Sequence, residues 1–158
     1  MGSDIRRSYT AVGDAVNLAA RLQELSKTYS VAILVSANTM SQASAFVWQE
    51  VDKVRVHGKT QVLSICTPLP HSHMLKSSKD IQRQVDGVSQ KYEKVELEKW
   101  QLALQAYRLQ QWDISNQYLK ELIVINPSNM MYAFYIRRIA LLRLQSLDSS
   151  WDGTSDFS

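Results

Sequence analysis

The sequence predicts an α+β fold: a sheet-and-helix half over residues 1–70, a connector over 71–87, an all-helical region over 88–145 and an acidic tail over 146–158. Three observations carry this. Between Tyr9 and Thr67 short apolar runs alternate with helical patterns. From Val88 to Asn126 there is neither Gly nor Pro, and apolar residues recur at helical spacing. Between these stretches Pro68, Pro70, His71, Ser72 and His73 break the pattern, and the polar run Ser77-Ser78-Lys79-Asp80 has the composition of a connector.

Taken in order, Tyr9 to Val12 reads as a strand that Gly13 ends, and Asp14 is placed to cap a helix running to Tyr29. Leu18, Leu22, Leu25 and Tyr29 form one stripe of that helix, the face expected on the sheet. Ile33 to Ser36 reads as a strand and Asn38 to Ala45 as a helix, followed by apolar runs at Val47–Val51, Val54–Val56 and Val62–Thr67. Alternation on both sides of His57-Gly58-Lys59-Thr60 predicts an antiparallel hairpin with its turn at Gly58. In the second half, one helix carries Tyr92, Val95, Leu97, Trp100, Leu104 and Tyr107. A second follows Trp112-Asp113 and stops at Asn126-Pro127, and a third runs from about Asn129 to Gln145.

Composition bounds the function. A chain of 158 residues, 45% hydrophobic and 21% charged, buries a real core and is not a disordered tail. No apolar run reaches the ~20 residues that span a bilayer, and the start lacks the apolar segment of a signal peptide. The single cysteine, Cys66, excludes an internal disulfide framework, so a reducing, cytoplasmic setting is expected. Three scattered histidines make no structural zinc site. The net charge of +3 comes with no basic block, which argues against nucleic acid as a partner.

Few residues point to chemistry by spacing alone. Asn17 and Arg21 are one helical turn apart and share a face that Glu24 and Thr28 continue, the ordinary pattern of a solvated helix surface as well as of a polar site. Gly58 between His57 and Lys59 is a plain hairpin tip or a cationic turn able to hold phosphate. Cys66, in an apolar run, reads as a small buried hydrophobe, and His71 and His73 as exposed connector residues. The aromatics of the helical half read as core.

The run Tyr9-Thr10-Ala11-Val12-Gly13-Asp14-Ala15-Val16-Asn17-Leu18-Ala19-Ala20-Arg21-Leu22 resembles the signature segment of class III nucleotide cyclases. Ile33-Leu34-Val35-Ser36 resembles the strand that follows it there, and Val54-Arg55-Val56-His57-Gly58-Lys59 resembles the late Val-Lys-Gly-Lys hairpin. The resemblance covers about Gly2 to Leu69 and implies the C-terminal part of a ferredoxin-like cyclase domain. In such enzymes the 3′-hydroxyl of a nucleoside triphosphate attacks its own α-phosphate and releases pyrophosphate.

By the same resemblance Arg21 matches the transition-state arginine and Asn17 the ribose-holding asparagine. Thr10 matches the base-reading position in its bacterial adenylyl form, which favours ATP. His57 stands where the family has a phosphate-binding lysine, with Lys59 two residues on. The two metal-binding aspartates of the family have no match in this sequence; Asp4 and Asp14 are not they. The resemblance therefore implies a homodimer formed through the cyclase-like half and Mg or Mn in a full-length parent. No metal is expected on this chain alone, and no turnover. A non-catalytic dimerisation or interaction module is the alternative from another class. The helical half is similar, more loosely, to the C-terminal extension of some bacterial adenylyl cyclases, which ends in a Trp-Asp-Gly like Trp151-Asp152-Gly153. Against the tetratricopeptide pattern, a register ending on Pro127 suits Ser115, Leu119 and Leu122 but leaves Trp100 one residue off.

Overall fold

The computed structural model describes residues 2–43, 46–56, 60–69 and 79–157, with side chains over 13–43, 46–55, 60–69 and 91–157. The chain is α+β. Its elements are α1 (Gly2–Thr28), β1 (Val35–Ser36), α2 (Ala37–Ser41), β2 (Trp48–Val56), β3 (Val62–Pro68), α3 (Lys79–Arg108), α4 (Trp112–Ile125), α5 (Met130–Leu142) and β4 (Ser155–Phe157). Four strands form one sheet in the order β1-β3-β2-β4. The β2–β3 pairing is antiparallel with Arg55 opposite Val62, as the hairpin predicts; the turn at Gly58 lies outside the described residues.

Four elements differ from the sequence prediction. Tyr9 to Val12 is the middle of α1 and not a strand, and Gly13 is helical. A strand needs neighbours for its backbone donors and acceptors, whereas a helix satisfies them within itself, and among the described residues no strand pairs with 9–12. The runs Val47–Val51 and Val54–Val56 are one strand with a bulge between them. Helix α3 begins at Lys79, inside the expected connector. Residues 155–157 of the expected acidic tail form β4, parallel to β2.

The bulge at Val51 organises the packing. Glu50 pairs with Cys66 and Asp52 with Ile65, so Val51 is the extra residue and the in–out alternation shifts by one. Gln49, Val51, Asp52 and Val54 are all buried in consequence. Two carbonyls of the bulge accept from the helical half: Glu50 from Trp100 Nε1 at 2.5 Å, and Val51 from Tyr135 Oη at 2.7 Å.

One core therefore joins both halves. It contains Leu25 of α1 and Tyr29 just after it, Leu34, Val54 and Ile65 of the sheet region, and Trp100, Tyr107, Leu119, Leu122, Tyr132, Tyr135 and Ile139 of the helices. Aromatic rings interlock at its centre, with Trp100 5.2 Å and Tyr107 5.2 Å from Tyr135 between ring centroids. Helices α3 and α4 pack through Ser115, whose small buried side chain donates to the Ala103 carbonyl at 2.9 Å. Asn129 caps α5 by accepting from the Met131 amide at 3.2 Å.

Two buried polar networks bind the sheet to the helices. Asp52 accepts from Tyr29 Oη, from Ser155 Oγ at 2.5 Å and from Arg138 Nη1 at 2.9 Å, while Arg138 Nη2 donates to Ser155 Oγ. Glu96 accepts from Tyr132 Oη and from Asn126 Nδ2 at 3.0 Å, and Tyr132 Oη accepts from Gln49 Nε2 at 3.0 Å. Burial first, and then the Asp52 carboxylate, holds the Tyr29 hydroxyl far above its ordinary pKa.

Removing one partner of a buried pair leaves the other charge uncompensated. Asp52→Ala should therefore lower the free energy of unfolding by about 3 kcal/mol, read from urea unfolding. Stability should also fall at alkaline pH. Burial, followed by the Glu50 charge, pushes the Cys66 thiol to about 11, and burial pushes Tyr107 to about 12. The unfolded chain ionises these groups first, so the stabilisation is complete below roughly pH 8.5 and declines as pH rises toward the folded values. The urea midpoint should hold from pH 7 to 8 and drop steadily from about pH 9, in step with tyrosinate absorbance.

Candidate functional site

Helix α1 carries the residues the cyclase resemblance singles out. Its apolar stripe anchors it, with Leu25 and Tyr29 buried and Leu18 and Leu22 half-buried, so the opposite side faces solvent. Asn17 is exposed. Arg21, one turn on, keeps 30% of its side-chain surface and donates from Nη1 to Glu24 Oε2 at 3.1 Å. A guanidinium and a carboxamide on one helix face are able to bind a phosphate and a sugar hydroxyl together.

Of the five residues expected to hold substrate, the structure puts Asn17 and Arg21 on one face. Thr10 lies two turns earlier on α1, its side chain outside the described residues. His57 and Lys59 also lie outside them, as do His71 and His73. A shallow cleft of about 380 Å³ runs between α1 and the β1–α2 segment, lined by Leu22, Gln23, Ser26, Ile33 and Thr39; neither Asn17 nor Arg21 borders it. Among the described residues no three of His, Cys, Asp and Glu come together in a way that could hold a metal ion. The divalent metal of the cyclase family thus finds no fitting ligand set among them.

The sequence reading passes over Gln49, a fully buried carboxamide on β2. Its signal was a polar residue at the alternate position between Val47 and Val51, where period-two spacing puts it on the same inward face.

Comparison with known proteins gives partial likenesses. A Dictyostelium discoideum protein described as adenylate cyclase, terminal-differentiation specific, is 41% identical over 69 residues, 41% of this chain and 3% of that protein. Uncharacterized proteins of Mycobacterium bovis and Mycobacterium tuberculosis are 34% identical over 84 residues, 51% of this chain and 15% of each of theirs. The chain thus spans a small fraction of the length of these relatives. No protein-family model matches it, and no solved structure gives a significant match. Part of the chain is similar to an adenylate cyclase. No helix among the described residues is long and apolar enough to cross a membrane.

The Arg21–Glu24 pair is a surface ion pair and contributes little to folding. Arg21→Ala should shift unfolding stability by no more than about 0.5 kcal/mol in urea melts, so any larger effect on activity is attributable to chemistry.

Proposed function

We propose that this chain is the C-terminal part of a class III adenylyl cyclase catalytic domain with a helical extension, and that it supplies the nucleotide-holding side of a site completed by a second subunit. The observation that supports this is the placement of Asn17 and Arg21 one turn apart on one face of α1, within a run that resembles the cyclase signature, in a chain part of which is similar to an adenylate cyclase.

In the proposed reaction the ribose 3′-oxygen of ATP forms a bond to the α-phosphorus, the bond from that phosphorus to the oxygen bridging to the β-phosphate breaks, and pyrophosphate leaves. The 3′-hydroxyl proton passes to solvent or to a base on the partner. Asn17 holds the ribose. Arg21 exchanges Glu24 for the phosphoryl oxygens, on which negative charge spreads as the bond breaks. Thr10 accepts from or donates to the adenine edge, and His57 with Lys59 holds the outer phosphates; an imidazole in place of lysine binds them less firmly at neutral pH.

A second reading, a non-catalytic interaction module built on a cyclase-like segment, is favoured by one observation. Thr10 belongs to α1 itself, and not to the strand ahead of Gly13 that the sequence predicts.

The two separate in a complementation assay. The chain alone with Mg-ATP or Mn-ATP should form no cyclic AMP above a protein-free blank. Mixed with a complete class III adenylyl cyclase in which the arginine matching Arg21 is changed to Ala, it should restore cyclic AMP formation. Arg21→Ala in this chain should reduce the rescued rate by about 10² or more, the usual effect of losing a transition-state charge contact. Association of the two proteins without rescue would favour the interaction module.

A further inference from the structure

A cleft of about 380 Å³ runs between the first half of β2 and helix α3; neither Asn17 nor Arg21 borders it, and it takes no part in the proposed reaction. Two periodicities build it. Trp48 and Glu50, two apart on β2, share one face of the strand, while Leu97, Gln101, Leu104 and Arg108 recur at 4, 3, 4 spacing on α3. The lining is therefore mixed, with apolar side chains along most of the cleft and charge where α3 ends at Arg108. Leu104 is buried at its floor, and the Trp48 ring is held as a wall by its Nε1 bond to the Ala43 carbonyl at 3.0 Å. The volume is that of a small-molecule site.

Opposite charges stand side by side in this wall. Arg108 Nη2 donates to Glu50 Oε1 at 2.9 Å, and both side chains keep accessible surface, 22% for Arg108 and 34% for Glu50. Their bond uses one polar atom of each group; among the described residues Arg108 Nη1 and Glu50 Oε2 have no hydrogen-bond partner. The stem of Arg108 lies against Gly153, where even a Cβ would stand 2.7 Å from Cγ, so the guanidinium is braced from behind. A cation and an anion fixed as neighbours match the two charges that an α-amino acid carries on a single carbon. Laid head to tail against them, the zwitterion places its carboxylate on the guanidinium and its ammonium on the carboxylate without breaking the pair already formed. A ligand with one charge would shield the opposite protein charge from water and give it nothing in return.

We propose that this cleft binds a free α-amino acid with an apolar side chain, its carboxylate on Arg108 Nη1, its ammonium on Glu50 Oε2 and its side chain over Leu104 between Trp48 and Leu97. The apolar contacts supply the burial and the charge pair sets the orientation. The site is independent of the cyclase reading, since none of its residues belongs to the nucleotide-holding set.

Three probes with the same ring test it: L-phenylalanine, hydrocinnamate, which lacks the ammonium, and phenethylamine, which lacks the carboxylate. Titrated into the ¹⁵N-labelled full chain, L-phenylalanine should give saturable shifts at the Trp48 indole N–H and at the amides of Gln101, Leu104 and Arg108. Each of the other two should bind at least tenfold more weakly, the usual consequence of losing a charged hydrogen bond. Glu50→Gln keeps the shape and removes the ammonium's partner, so it should weaken L-phenylalanine about tenfold and leave hydrocinnamate unweakened. Arg108→Gln should weaken L-phenylalanine likewise and leave phenethylamine unweakened. A purely structural loss of the ion pair would lower all three affinities together. No saturable shifts at these residues, equal affinities for the three probes in the unmodified chain, or equal weakening of all three by both variants would each overturn the proposal. The comparison of probes on the unmodified chain holds whether or not either variant folds.

Discussion

Asp52 is a carboxylate on a central strand with 1% of its side-chain surface exposed, a placement that is costly unless the charge is met on several sides. Everything around it answers that demand. Arg138 comes from α5, Tyr29 from the end of α1 and Ser155 from β4, so three segments far apart in sequence converge on a single oxygen, Oδ2. The other oxygen, Oδ1, accepts from the Lys53 amide at 2.8 Å. Because Arg138 is itself crowded by the rings of Tyr107, Phe134 and Tyr135, each about 6 Å away, the ion pair is held in one geometry by the aromatic core. The bulge at Val51 is what turns Asp52 inward. Without the extra residue, Asp52 would fall on the face opposite Gln49 and Val51.

This arrangement sets the character of α1. The helix is fixed at its C-terminal end, where Tyr29 meets Asp52 and packs 5.0 Å from Phe134, and its buried stripe thins toward Leu18. Asn17 and Arg21 sit just beyond the anchored portion. Asn17 is exposed and Arg21 partly so. Among the described residues Arg21 pairs with a neighbour on its own helix, Glu24, in a partly exposed contact that contributes little to stability.

The docking of the C-terminal residues follows from the same centre. Strand β4 pairs with the free side of β2, covering an edge that would otherwise present unpaired backbone groups. The chain reaches that edge through Trp151, whose ring lies 5.3 Å from Tyr107, and then turns at Gly153. Gly153 has φ +77, and a Cβ there would stand 2.7 Å from Arg108 Cγ. Only glycine meets both conditions without displacing α3. Asp152 Oδ1 steadies the turn by accepting from the Thr154 amide at 2.8 Å, which holds its carboxyl below the usual range.

Much of this was legible in the sequence because it rests on local signals. The Leu18–Leu22–Leu25–Tyr29 stripe, the hairpin strands around Gly58, the stop of α4 at Asn126-Pro127 and the aromatic core of the helices depend on periodicity and on backbone-restricted residues acting over a few positions. The segment carrying Asn17 and Arg21 was legible as a motif for the same reason. The tertiary structure alone decided what depends on partners distant in the chain. Whether Tyr9 to Val12 is strand or helix turns on whether a sheet neighbour exists to take its hydrogen bonds, and no local pattern contains that information. A bulge shows no sequence signature in Glu50-Val51-Asp52, yet it determines that Asp52 and Gln49 both face inward. The pairing of Asp52 with Arg138 and Ser155, across 86 and 103 residues of chain, arises because buried polar groups must be satisfied by whatever the folded chain brings beside them.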